Sequence, residues 1–460
     1  MTTGKALFGL DALAMLCIWP FMIRLACYGP ECFKVTPDGL SSLLYPAANL
    51  ICLFALGLYR RDAIIDTRES LARVPLAVSL GAVSTACLML LLGTWIGAPD
   101  NRVRMFAAAV AGFSTAGFAA RIVFWSLKHG GAFRRRLLIV GAGERAWDLI
   151  HMLRNEGNHP QYDVAFVHDA SFGQIDSRLA DGALGRILQT TEGDVLTPAR
   201  QINPDEIVVA PDERRGMKLD SLLACKKEGY PVVQYLSFLE HEIKRVDVRR
   251  LDLGWLLYSD GFYFGTFDNA VKRLLDIAVS LLLLLLFSPF LLMAAIAIKI
   301  DDGGPVLYTQ ERLTRNERLF RIYKLRTMGV NAESAGAVWA ATRDPRITRV
   351  GNFLRQARID EMPQLLNVLK GDMSLVGPRP ERPAFVEQLA VHLPLYGERH
   401  MVKAGLTGWA QINYPYGASI EDARSKLSYD LYYVKNFSIL FDMLIIIQTL
   451  RVVLWPSGAR

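Results

Sequence analysis

The chain has 460 residues, 52% of them hydrophobic, and a mean hydropathy of +0.21. That is too apolar for an average soluble enzyme and too polar for a chain lying wholly in a membrane, so one part should sit in lipid and another in water. With 36 glycines and 21 prolines it is neither collagen-like nor low-complexity, and it is too apolar for disorder. The excess of 52 Lys and Arg over 45 Asp and Glu gives +7, which points to a positive-inside bias and anionic lipid rather than nucleic acid. Cys17, Cys27, Cys32, Cys52, Cys87 and Cys225 form no C-x-x-C pair, so they read as small buried hydrophobes, not as a zinc ribbon or disulfide framework.

Four apolar stretches open the chain: Leu7–Tyr28, Leu40–Leu58, Leu71–Ile96 and Val103–Leu127. Each is near the length of a spanning helix. Asp11 and Arg24 weaken the first, but its length does not suit a cleaved signal peptide and no A-x-A site follows. Arg60, Arg61 and Arg68 follow the second stretch, and Lys128, Arg134, Arg135 and Arg136 follow the fourth. Both ends of this unit, residues 1–130, should therefore face the cytoplasm.

Residues 131–265 alternate strand-like and helix-like runs. Arg136–Val140 leads into Gly141-Ala-Gly143-Glu-Arg-Ala146, then a helical pattern over Trp147–Leu153. Val164–Val167 ends at His168-Asp169; Glu206–Ala210, Leu219–Lys227 and Pro231–Gln234 follow. That alternation predicts a Rossmann-like parallel sheet, with Gly141 and Gly143 as candidate cofactor-binding positions and Asp169 near a ribose-binding position.

The block Leu274–Ile300 is long enough to span, yet Lys272 and Arg273 flank one end and Lys299 the other. Ser288-Pro289 lies in its middle, where proline removes an N–H and crowds the preceding turn. Two readings stay open on the residues: a broken, re-entrant hairpin over residues 270–302, or a spanning helix with a kink. Residues 303–460 end in Phe437–Trp455, whose apolar run is interrupted by Asp442, Gln448 and Arg451, as expected of a helix in the membrane interface.

The densest chemistry lies at Asp360-Glu361. The apolar positions after it, 362, 365, 366 and 369, form a helical stripe that Pro363 can start and Gly371 can stop. Both carboxylates thus belong at a helix N-terminus, where the macrodipole should keep Asp360 ionised and backbone N–H groups can bind phosphate. Such residues are often mere caps. Here, however, Lys324, Arg326, Arg355, Arg358 and Arg379 surround them in sequence, and Pro378 and Pro380 fix the backbone beside Arg379. Paired carboxylates in a basic setting suit phosphoryl transfer, one attacking phosphorus and the other holding Mg²⁺. Asp430 is a candidate third carboxylate at the metal. The competing reading of the basic residues is a solvated or lipid-headgroup-binding face.

Residues from about 270 onward resemble the bacterial polyprenyl-phosphate hexose-1-phosphate transferases. The resemblance rests on Phe287-Ser-Pro289, Lys324-Leu-Arg-Thr-Met328, the run from Asp360 to Pro380, and Gly405-Leu-Thr-Gly-Trp-Ala-Gln411. Four spans, a Rossmann-like domain and this module together resemble the large form of the family. A weaker similarity, from Pro211–Gly216 to Asp260-Gly-Phe262, links the chain to exopolysaccharide members.

The resemblance implies a two-step reaction at the cytoplasmic face of the bacterial inner membrane. Asp360 would attack the sugar-linked phosphate of a UDP-sugar, glucose or galactose being the family's usual choice, and release UMP. Undecaprenyl phosphate would then accept the sugar phosphate. Glu361 matches the Mg²⁺-binding (or Mn²⁺-binding) carboxylate; Lys324, Arg326, Arg355 and Arg379 match phosphate contacts. The resemblance also favours the re-entrant hairpin, and Arg358 stands where it leads one to expect a small hydroxylated residue. Residues 131–265 further resemble a domain of membrane-bound nucleotide-sugar dehydratases, but none of the 16 tyrosines has lysine four residues on, as those enzymes require. The domain therefore reads as non-catalytic, and it offers a surface for a homodimer. The alternatives are a membrane oxidoreductase or dehydratase using the Gly141 loop, and a non-enzymatic assembly scaffold or transporter, for which Asp11, Arg24 and Arg104 would be the intramembrane charges.

Overall fold

The computed structural model describes residues 3–26, 39–59, 67–92, 99–130, 134–155, 162–213, 217–251, 261–262, 265–330, 332, 344–414, 417 and 419–454. The chain forms two compact units, Met1–Ile243 and Lys244–Arg460.

The first unit opens with four helices, α1 (Thr3–Ala26), α2 (Gly39–Ala55), α3 (Thr67–Leu92) and α4 (Pro99–His129). Lys5–Met22 and Phe106–Leu127 are long and apolar enough to cross a membrane; α2 and α3 carry shorter apolar segments, Leu43–Ala55 and Val74–Ser84, among the described residues. Trp19 stacks on Tyr45 and Phe113, with ring centroids 4.5 and 5.6 Å apart, and Met15, Leu53 and Val74 complete that core. Asp11 is paired with Arg121 at 2.9 Å, both buried, so this charge braces α1 against α4. Arg104 is exposed. Arg60 and Arg61 lie outside the described residues, as do the side chains of Arg24, Arg68 and Lys128.

A five-stranded parallel sheet follows, in the order β3-β2-β1-β4-β5. Its strands are β1 (Arg135–Val140), β2 (Tyr162–His168), β3 (Arg186–Gln189), β4 (Glu206–Val209) and β5 (Val232–Gln234). The helices α5 (Glu144–Asn155), α6 (Leu196–Ile202), α7 (Leu219–Lys227) and α8 (Tyr235–Ile243) alternate with them. Leu137 and Ile139 pack with Phe166 and Phe238 on one side of the sheet; Leu138 and Val140 pack with Val167 and Ile207 on the other. Burial on both faces is why β1 reads as a continuous apolar run.

The second unit holds α9 (Thr266–Asp302), an antiparallel hairpin of β6 (Leu307–Leu313) and β7 (Leu319–Leu325), and α10 (Arg349–Gln356). A 3-10 turn at Ile359–Glu361 leads to α11 (Gln364–Lys370). Then come the parallel pair β8 (Ser374–Val376) and β9 (Gly405–Thr407), with α12 (Pro383–His392), α13 (Trp409–Asn413), α14 (Ile420–Lys435) and α15 (Ile439–Leu454).

α9 is one continuous 37-residue helix with Pro289 inside it, so no helix-free segment divides the block. Pro289 cannot donate to the oxygen of Leu285, but the Ser288 hydroxyl does so at 2.8 Å and satisfies the carbonyl the proline leaves. Both ends of α9 pack on the same globular module. Near its start, Arg273 donates to the last carbonyls of α11, Val368 and Leu369, at 2.5 and 2.6 Å. One turn on, Asp276 accepts from Ser374 Oγ at 3.1 Å and the Leu375 amide at 3.0 Å. At its far end Ala294 and Ile298 pack on Leu325 and Leu354, and Asp302 pairs with Arg326. Between these anchors Leu281, Leu282, Leu285, Leu286, Phe290 and Met293 are exposed.

Two of the polar interruptions of α15, Asp442 and Gln448, point inward, while the side chain of Arg451 lies outside the described residues. Asp442 is buried and takes Lys272 Nζ at 2.5 Å and the Tyr433 hydroxyl at 2.8 Å, while Gln448 is also buried. Leu440 and Met443 are exposed instead, leaving an apolar outer face.

Candidate active site

Asp360 and Glu361 occupy the 3-10 turn that feeds α11, which ends at Gly371 with φ +89°. Arg358, at φ +57°, turns the chain sharply between α10 and this tight turn. Behind them, buried Asn367 accepts from the Tyr323 amide at 3.0 Å and donates to the Arg321 oxygen at 2.7 Å. That two-sided bond fixes α11 on β7, and β7 carries Lys324.

Lys324 Nζ lies 3.2 Å from Glu361 Oε1, and Arg379 Nη2 donates to the same oxygen at 2.6 Å. Arg355 reaches the site from α10, its Nε donating to Thr327 Oγ1 at 2.9 Å. The approach of α10 is close: a Cβ on Gly351 would lie 2.0 Å from the Thr327 oxygen. Arg379 is set by a backbone crossing of the two glycine-containing motifs. A Cβ on Gly377 would lie 2.2 Å from the Lys403 oxygen, and one on Gly408 2.2 Å from the Gly377 oxygen. The motifs at 377–380 and 405–411 are therefore one structural feature.

The adjacent carboxyls behave differently. Burial, and next the charge of Glu361, push Asp360 up to about 6, against the pull of Lys324, Arg355 and Arg379. Burial opposes ionisation of Glu361 as well, yet Arg379 and Lys324 hold its carboxyl well below the usual range. Burial thus works against the ionised form of Asp360, which a value of about 6 still leaves largely charged at neutral pH, and Glu361 is the more firmly charged of the two. Burial also lowers Lys324 from its ordinary value, with Glu361 pulling it back.

Two expected site residues have other partners. Arg326 is buried and committed to Asp302, its Nη1 donating at 2.9 Å, so it anchors the end of α9. Asp430 is buried and paired with Arg399 Nη2 at 2.8 Å, where it offsets a buried guanidinium. Among the described residues no group of three or more His, Cys, Asp or Glu side chains is arranged to hold a metal. The hard oxygens of Glu361 and Asp360 suit Mg²⁺ in its common mode, one or two carboxylates completed by substrate phosphate and water.

The glycine loop is closed by the protein itself. The Glu144 and Arg145 amides at the start of α5 donate to Asp212 Oδ2 and Oδ1 at 2.7 and 2.9 Å. A Cβ on Gly143 would lie 1.9 Å from Asp212 Oδ2, so this glycine makes room for the carboxylate, while Gly141 takes φ +102°. The anion position that Gly141 and Gly143 were expected to offer a cofactor is filled by Asp212. Asp169 is likewise engaged, accepting from the Ser171 amide and hydroxyl at 2.8 and 2.6 Å and from the Gly193 amide at 3.0 Å.

Sequence reasoning missed Asn367, Arg399 and Asp212. Asn367 falls off the apolar stripe and reads as solvent-facing, and Arg399 stands in a polar run. Asp212, 68 residues from Glu144, had no local signal.

The family description "Bacterial sugar transferase" matches residues 267–456. A UDP-glucose:undecaprenyl-phosphate glucose-1-phosphate transferase of Caulobacter vibrioides is 42% identical over 190 residues, 41% of this chain and 71% of the relative. The chain belongs to the bacterial sugar transferase family. It is thereby an enzyme of the phosphoglycosyl transferase type. An undecaprenyl-phosphate glucose phosphotransferase of Komagataeibacter xylinus is 29% identical over 449 residues, covering 93% of this chain and 80% of the relative. A UDP-N-acetylgalactosamine-undecaprenyl-phosphate N-acetylgalactosaminephosphotransferase of Aeromonas hydrophila is 44% identical over 242 residues. That match covers 52% of this sugar transferase and about half, 56%, of the relative.

Proposed function

We propose that this sugar transferase moves a hexose 1-phosphate from a UDP-sugar to undecaprenyl phosphate through a covalent intermediate on Asp360. The observation that carries the reading is the buried Asp360 carboxyl beside Glu361, which Arg379 and Lys324 clamp at one oxygen. In the first step an Asp360 oxygen forms a bond to the sugar-linked phosphorus, and the bond from that phosphorus to the bridging oxygen breaks, releasing UMP. In the second, an oxygen of undecaprenyl phosphate bonds to the same phosphorus, the acyl-phosphate bond breaks, and Asp360 returns as carboxylate. The product is undecaprenyl diphosphate-linked sugar.

Arg379, Lys324 and Arg355 stabilise charge on the phosphoryl oxygens, Arg379 through a planar fork and Lys324 as a point charge. Glu361, with Asp360 beside it, is the proposed holder of Mg²⁺ or Mn²⁺, which when bound neutralises phosphate oxygens. Arg326 and Asp430 are left out of the contact set because each is bound to a structural partner.

The apolar α9, anchored at both ends to one module, supports a helix that dips into the cytoplasmic leaflet of the inner membrane and returns. Its exposed leucines lie between the two anchors, and the bend that such a dip requires is placed at Ser288-Pro289. The active site then sits at the depth of a lipid phosphate. The parallel sheet of the first unit is read as a Rossmann-like, non-catalytic domain in which a dimer surface is available. The sugar is a hexose or its N-acetyl derivative, for an exopolysaccharide or O-antigen.

The test is UMP release from UDP-glucose, UDP-galactose and UDP-N-acetylgalactosamine by membrane fractions, with and without Mg²⁺. D360N should abolish release with every sugar. Release that survives in D360N overturns the role of Asp360. A reporter fused after Ile300 should read as cytoplasmic, and a periplasmic signal rules out the dipping helix.

A further inference from the structure

Four consecutive carbonyl oxygens around Arg379 are each held by a separate donor. The Gly405 amide donates to Pro378 at 2.8 Å, Arg399 to Arg379 at 3.0 Å, Arg312 to Pro380 at 3.1 Å and the Leu313 amide to Glu381 at 3.2 Å. Pro378 and Pro380 already restrict φ on both sides. This constrained segment carries the guanidinium that touches Glu361.

Among the four donors, Arg399 holds the carbonyl of Arg379 itself. It is buried at 4% exposure, and its own direction is set in turn. Asp430 takes Nη2 at 2.8 Å, and Nη1 donates to the Tyr396 hydroxyl at 2.7 Å. Burying an arginine is unfavourable unless its charge is matched and its donors are used. A backbone amide would satisfy a carbonyl with less desolvation, so charge alone does not explain the choice. A guanidinium presents its donors in a rigid plane, and pinning that plane at Asp430 aims a donor at the Arg379 carbonyl.

We propose that Arg399, oriented by Asp430, is a positioning residue that fixes the direction of the Arg379 guanidinium toward the phosphoryl group being transferred. The proposal rests on the reading of Arg379 as a phosphate contact. Asp430 thereby serves the site by orienting Arg399 rather than by holding a metal.

The experiment compares full-length R399K, D430N, R379K and R379K/R399K in UMP release, each checked by thermal unfolding. R399K keeps the charge but loses the planar fork, and D430N keeps shape and an acceptor oxygen. Each should lower kcat about tenfold or more, since small misplacements of a reacting contact are costly. The KM for UDP-sugar should change less than about threefold; unfolding should stay near wild type in R399K, which keeps the charge, and fall in D430N, which leaves the buried guanidinium without its counter-charge. In the R379K background, R399K should cost less than about twofold, because residues acting through one another are not additive. An unchanged kcat in R399K, or a loss repeated in full in the R379K background, overturns the proposal. If R399K fails to fold, the same two readouts are taken from D430N and R379K/D430N. Failure of the wild type to release UMP overturns the proposed function instead, and full activity in R379K overturns the role of Arg379.

Discussion

Arg379 donates to Oε1 of Glu361 at 2.6 Å, and the charge it brings there separates the titration of two adjacent carboxyls. Glu361 is held ionised, and its negative charge, added to burial, raises Asp360 to about 6. E361Q should therefore lose most turnover, on the order of a hundredfold or more for a charged group at a phosphoryl-transfer site. The acid limb of its residual kcat/KM should also move to lower pH than in the wild type, because one of the causes raising Asp360 is gone. A pH profile of UMP release measures both, and an acid limb displaced upward contradicts the coupling.

Asp360 is held in its charged form at a cost to stability. Its folded pKa, about 6, lies above the ordinary 3.8, so the folded state binds the proton more tightly than the unfolded one. The penalty is fully present above about 6 and disappears below about 4. D360N should stabilise the metal-free protein by about 3 kcal/mol at pH 7.5, with the gain shrinking as pH falls through that window. Thermal unfolding at several pH values in chelator tests it, and a gain independent of pH would refute the assignment.

Asp302 pairs with Arg326, whose side chain is only 7% exposed. D302N should destabilise the second unit, since it leaves a buried guanidinium without its counter-charge. Turnover per folded molecule should be little changed. Chemical denaturation alongside UMP release distinguishes this outcome from a direct role of the pair in catalysis.

Asp212 caps α5 by accepting from two amides of its first turn. D212A should cost the sheet domain about 1 kcal/mol, the usual value of a lost N-terminal cap. Hydrogen exchange at the Glu144 and Arg145 amides should rise in step. Unchanged protection there would show that the carboxylate is not their partner in solution.

The legible parts of the fold were those written in local patterns. Leu219–Lys227 folds as the helix its periodicity predicts, and Gly371 ends α11 because it can adopt a positive φ. The two candidate carboxyls, Asp360 and Glu361, and three basic residues cluster near motifs, so they too could be named. What escaped depends on partners distant in sequence. The β8–β9 strands are three residues each, too short for alternation to register. Arg326 and Asp430 carry the right chemistry for phosphate and metal, but only the tertiary fold reveals the opposite charge each already faces.

The Asp212 carboxylate has a consequence for any soluble anion that approaches the glycine loop. It is a competitor attached to the site, and tethered groups act at effective concentrations on the order of millimolar or above. A phosphate-bearing molecule at micromolar levels would displace it only by binding α5 about a thousandfold more tightly than the carboxylate does. The glycine loop thus works as an internal splice that joins the strand β1 to the segment after β4, and it spends on the chain's own cohesion the recognition chemistry that such loops elsewhere direct outward.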